Sequence, residues 1–113
     1  MLQILKIVAA IATVATGALA LFAPRSVFGF TGLSAPGPRG ITEIRAVLGG
    51  LFIGLGIAPF VLRQNPATYR MLGIAYFAIA ITRLISLFVD KSFEQSNTIS
   101  LVVEIAFGII LVL

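Results

Sequence analysis

Apolar residues fall into four long runs separated by short polar or breaker-rich stretches, covering about residues 4–22, 43–62, 67–89 and 98–113. A helix needs about 20 mainly apolar residues to cross the hydrocarbon core of a bilayer, within a range of about 17–25. The first three runs meet that length; the fourth, at 16 residues, falls just short. The pattern predicts an all-α membrane protein: four transmembrane helices in an antiparallel four-helix bundle, one four-span domain over residues 1–113. No repeat and no second domain is visible.

The connecting stretches sharpen the boundaries. Residues 23–40 hold Pro24, Pro36 and Pro38 with Gly29, Gly32, Gly37 and Gly40. That is more breakers than a helix tolerates, so a loop is expected, with Val27-Phe28-Gly29-Phe30 in the membrane interface. Arg63-Gln64-Asn65-Pro66 reads as a tight polar turn in which Pro66 opens the next helix. Asp90 to Asn97 reads as a polar loop, with Asn97 or Thr98 as N-cap. Pro59, in the last turn of the second run, is expected to bend that helix or end it early. Ala18-Leu19-Ala20 has the small-residue spacing of a signal-peptide cleavage site, but only Lys6 precedes the run as a positive charge, so the first run is expected to remain as a span.

Composition makes lipid the solvent for most of the chain. Of 113 residues, 59% are hydrophobic and 11% charged, against about 45–50% and about 25% in soluble domains. Mean hydropathy is +1.13. A soluble globule of this size leaves about a third of its potential surface in water and could not hide that much apolar area, which excludes a soluble enzyme and a disordered tail. With Cys and His both at zero, disulfides, thiolate catalysis, imidazole metal sites and His-ligated haem are excluded as well. No cofactor and no metal is expected. The net charge of +4 comes from singly scattered Lys and Arg, a pattern of headgroup anchors rather than of a nucleic-acid surface.

Four spans put both ends of the chain on one side and the 23–40 and 90–97 connections on the other. Arg83 precedes Asp90 by seven residues and Glu104 follows Thr98 by six, which places them roughly 10 Å and roughly 9 Å below the loop side at 1.5 Å rise per residue. Glu43 and Arg45 open the second run on that same side, and Thr16 lies at similar depth in the first. By helical phase, Tyr76, Arg83 and Ser86 share a face, as do Ser100, Glu104, Phe107 and Gly108; both are less lipid-like than the faces opposite. Arg83 and Glu104 are therefore expected to pair directly, at about 3 Å. The second run carries Ala46, Gly50, Gly54 and Ala58 at every fourth position, with Gly49 and Gly56 on the flank. Such small residues let spans approach closely. Glu43 lies in line with this stripe and is expected to join the Arg83–Glu104 pair, while Arg45 points elsewhere, toward a headgroup or the 23–40 loop.

Taken together, Glu43-Ile44-Arg45-Ala46, Gly49-Gly50, Arg83-Leu84 near a helix end, Glu104 in the last helix and the Leu21-Phe22-Ala23-Pro24 junction resemble a bacterial family of small four-helix integral membrane proteins catalogued only as a domain of unknown function. The resemblance covers nearly the whole chain. It implies an integral four-span protein, implies no activity, and suggests that Glu43, Arg45, Arg83 and Glu104 act as a set. The last helix is short against that pattern, which leaves room for a tail beyond Leu113.

The polar set reads in two ways. Two acids and two arginines sum to zero, as a closed structural network would, and pairing offsets the roughly 2.5–3.5 kcal/mol cost of an embedded charge. Alternatively Glu43, Arg45, Arg83 and Glu104, with Tyr76 and Thr16, line a pocket for an anion, a headgroup or a proton. No nucleophile has an adjacent base, and an arginine near either Glu opposes the raised pKa a general acid needs. No catalysis is expected. The sequence therefore points to a non-catalytic component or accessory subunit of a membrane complex, the alternative being a ligand- or lipid-binding bundle or minimal transporter. Expected partners are the bilayer and a larger membrane complex or further copies of the chain, with no nucleic acid. A multi-pass protein of the cell's inner membrane is expected, with both termini cytoplasmic.

Overall fold

The computed structural model describes residues 1–113, all helical apart from short connections. We number the helices α1 (Leu2–Phe22), α2 (Val27–Thr31), α3 (Pro38–Val61), α4 (Pro66–Val89) and α5 (Gln95–Val112). All but α2 are long and apolar enough to cross a membrane. The 23–40 stretch holds more helix than its breakers predict. Pro24–Ser26 forms a 3₁₀ turn and Val27–Thr31 a further turn and a half, closed by Gly32 at φ 74°. Pro24 sits in the first turn, where its missing N–H breaks no bond.

Helix α3 starts at Pro38, five residues before the predicted position 43, because Pro38 is a good first helical residue and extended Gly37 caps the turn. Its middle, Ile44–Leu51, is π-helical, with hydrogen bonds one residue wider than an α-turn. Ile44 and Gly49, five residues apart, are thus both buried. Pro59 does not end the helix. It lies buried inside the last turn, and the chain leaves two residues later through Arg63 and Gln64, both at φ 56°.

Close-packed glycines show how the long helices meet. Alpha carbons of α1 and α3 run antiparallel: a methyl group on Gly17 would lie 2.7 Å from the Gly49 carbonyl, and one on Gly56 would lie 2.8 Å from the Ala10 carbonyl. Helices α4 and α5 are antiparallel too, with Gly73 against Leu111 and Gly108 against the Phe77 ring. The two pairs join through Ala9, Ala10, Tyr69, Leu72, Tyr76 and Leu111, a buried cluster near the end of the bundle that carries both chain termini. At the opposite end Ala20, Val27 and Ile44 tie α2 to α1 and α3.

The expected packing stripe is displaced. Gly49 and Gly56 are buried, whereas Ala46, Gly50 and Gly54 are exposed and Ala58 half-buried. A methyl group on Gly54 would meet nothing within 4 Å. The flank carrying Gly49 and Gly56, rather than the every-fourth-residue stripe, meets α1. Lys6 is only 8% exposed, on the inner side of α1. Around the outside, Ile74, Ile81, Phe88, Val102 and Ile109 stay exposed. A chain with its large aliphatic side chains on the outside is built for lipid, and this is the architecture of a multi-pass membrane protein.

Candidate functional site

The embedded polar junction lies between α4 and α5, toward the loop end. Arg83 Nε donates to Glu104 Oε2 at 2.8 Å and to Oε1 at 3.1 Å, and a terminal nitrogen donates to Oε1 at 2.6 Å. Each carboxylate oxygen is thus engaged by one guanidinium, a fork geometry that only arginine supplies. The other terminal nitrogen donates to Asn97 Oδ1 at 2.6 Å. Asn97 in turn donates to the Ser92 carbonyl at 2.8 Å and to Ser92 Oγ at 3.1 Å. The junction therefore ties two helices to the loop that connects them. The Arg83 side chain is 30% exposed and that of Glu104 10%, so the pair sits where a lone charge would be poorly solvated on either partner.

Asn97 or Thr98 is the N-cap that the sequence suggests. Helix α5 instead starts at Gln95, one turn earlier along the polar loop, which moves Asn97 inside the helix and frees its amide for Arg83 and Ser92. Sequence reasoning missed Asn97 and Ser92 as members of the junction. The available signal was two helical turns of spacing: Asn97 precedes Glu104 by seven residues, which puts both on one face once the helix starts before it.

Glu43 does not join this pair. It is exposed and pairs with Arg39, one turn earlier on α3. That partner exists because α3 begins at Pro38, and the π segment then turns Ile44 rather than Glu43 inward. Arg45 is exposed as well and faces residues of the 23–40 stretch, lining a cleft with Arg25, Pro36 and Thr42. Thr16 is also exposed, and its hydroxyl donates back to the Ala12 carbonyl at 2.9 Å. A β-branched hydroxyl on a lipid-facing helix satisfies itself in this way without a neighbour.

Tyr76 is buried, but toward α1 rather than toward Arg83. Its hydroxyl meets Thr13 Oγ1 at 2.5 Å, and its ring packs edge-on against Phe107 at 5.4 Å. The single Thr13 hydroxyl proton goes to the Ala9 carbonyl at 2.8 Å, so Tyr76 is the donor of the pair. This second polar contact holds α4 to α1, as Arg83–Glu104 holds α4 to α5. Of the six residues expected in one polar set, the structure joins Arg83 and Glu104 and disperses Glu43, Arg45, Tyr76 and Thr16.

Known proteins add a family but no activity. No curated protein and no solved structure matches the chain. A family model described as a domain of unknown function, DUF4345, matches residues 1–113. The chain, an all-helical protein with four membrane-length spans, belongs to the DUF4345 family.

Proposed function

We propose that this protein is a non-catalytic component of a membrane complex, and that Arg83, Glu104 and Asn97 act as a structural clip within it. The observation that carries the reading is that the Glu104 carboxylate is fully engaged within the junction. Every nitrogen of the Arg83 guanidinium donates to Glu104 or Asn97, and both oxygens of Glu104 accept. A carboxylate with both oxygens held in a guanidinium fork has no free oxygen to offer a substrate or a proton path. It is a good fastener, because an arginine and a glutamate in lipid each cost far more alone than together. Small size, a lipid-adapted exterior and the open backbone at Gly50 and Gly54 support a subunit that other spans adjoin. On this reading the protein belongs to the cell's inner membrane, with both termini cytoplasmic.

The test is gentle solubilisation of the full chain from its native membrane, followed by separation by size. Co-migration with a larger stable assembly is expected, and Gly54→Leu should release the protein from it without unfolding it. A free monomer in native membranes would refute the reading. Glu104→Gln provides the second arm: it should lower stability, whereas loss of transport or binding at unchanged stability would favour a ligand-handling bundle. One observation does favour such handling elsewhere in the molecule, since Arg45 faces a cleft and pairs with no acid.

A further inference from the structure

We infer that the cleft between Arg25 and Arg45 is a binding site for a phosphate oxyanion, supplied by the headgroup of an anionic phospholipid. The cleft has a volume of about 470 Å³, within the range of about 300–1,000 Å³ typical of ligand sites. Arg25, Thr42 and Arg45 supply its polar side chains, and Pro36, Gly37 and Pro38 line it as well. No acidic side chain lines it. The two ion pairs in the molecule, Arg39–Glu43 and Arg83–Glu104, leave both Arg25 and Arg45 without an anionic partner, and neither makes a side-chain hydrogen bond. Two guanidinium groups facing one cleft repel each other unless an anion lies between them, and a tetrahedral oxyanion accepts from both forks at once.

Depth points to a lipid source. Helix α3 has 24 residues, about 36 Å at 1.5 Å per residue, against about 30 Å of hydrocarbon. With α3 centred in the bilayer, the Arg45 backbone lies about 8 Å inside the hydrocarbon edge, within reach of the phosphate layer for a side chain that extends toward the interface. Arg25 follows the end of α1 by three residues and lines the same cleft. The inference stands apart from the structural role of Arg83 and Glu104, which contribute nothing to the cleft.

The test uses the full chain in bilayer discs of phosphatidylcholine containing a minority of phosphatidylglycerol, with retained lipids counted by native mass spectrometry. Retention of phosphatidylglycerol over phosphatidylcholine is expected, falling about fivefold in Arg25→Gln and about fivefold in Arg45→Gln. Arg63→Gln with Arg70→Gln, at the opposite end of the bundle, serves as the control and should change nothing. Circular dichroism checks that each variant keeps its helices; the single variants are the primary measurement because both side chains are exposed. A parallel arm adds inorganic phosphate to discs of phosphatidylcholine alone. Phosphate binding there that is lost in the same two variants, with no phosphatidylglycerol preference, supports the oxyanion site and assigns it a free phosphate. Retention in both arms unchanged by either variant, or reduced equally by the control, overturns the site.

Discussion

Arg83 and Glu104 come from different helices, 21 residues apart in sequence, and meet in a two-point fork at 2.6 and 2.8 Å. Removing either partner leaves the other charge in a low-dielectric setting. Arg83→Ala and Glu104→Gln should therefore each cost about 2–4 kcal/mol, toward the low end for the more exposed arginine variant. Thermal unfolding in detergent measures the loss. The charge-swapped protein, Arg83→Glu with Glu104→Arg, should recover a large share of it, and absence of any recovery would mean that the two side chains do not act as a pair.

The Thr13–Tyr76 contact is asymmetric, and its variants should be too. Tyr76→Phe removes the donor and leaves Thr13 satisfied by the Ala9 carbonyl, at an expected cost of about 1 kcal/mol. Thr13→Val removes the acceptor and leaves a buried phenol unpaired, at about 1–3 kcal/mol. Equal losses in chemical or thermal unfolding would contradict the assignment of Tyr76 as donor.

Glycine replacements should divide by face rather than by spacing. Gly17→Ala and Gly56→Ala place a methyl group within 2.7–2.8 Å of backbone oxygens or a valine methyl on the neighbouring helix. Each should destabilise by about 1–3 kcal/mol through overpacking. Gly54→Ala meets open space and should be neutral or slightly stabilising in the isolated protein, because alanine is the better helix former. A uniform response across the three, read as the midpoint of thermal unfolding, would put the α1–α3 contact in the wrong place.

The turn after α3 carries two residues at positive φ, Arg63 and Gln64. Gln64 is held by Gln3 and Tyr69 through its side-chain oxygen, whereas Arg63 has no side-chain hydrogen bond to lose. Arg63→Gly relieves a left-handed conformation that L residues adopt at a cost of about 1–2 kcal/mol, and should raise stability by up to about 1 kcal/mol once the extra freedom of the unfolded chain is counted. A lowered melting temperature would show that the arginine makes a contact in the membrane interface that outweighs the strain.

Much of this protein is determined by the sequence alone, because a bilayer is an exacting solvent. Runs of apolar residues with few charges must satisfy their backbone internally, so they become spanning helices, and each large aliphatic face turns outward without needing a specific neighbour. Depth along a helix and angle around it are local quantities, and they suffice to set Arg83 and Glu104 opposite each other. What tertiary structure decides is everything that depends on a helix departing from ideal or on where it begins. The inward face of α3 is that of Gly49 and Gly56 rather than of the Gly50–Gly54 stripe, because a close fit of Gly49 on Leu21 and of Gly56 on Val14 is available there. The start of α3 at Pro38 supplies Arg39 and so takes Glu43 away from the buried pair. The start of α5 at Gln95 makes Asn97 a partner of Arg83 instead of a cap. Periodicity ranks the faces of a helix by residue type alone, and it fails where the shape of a neighbouring helix selects a different face or where a helix begins before its apolar run.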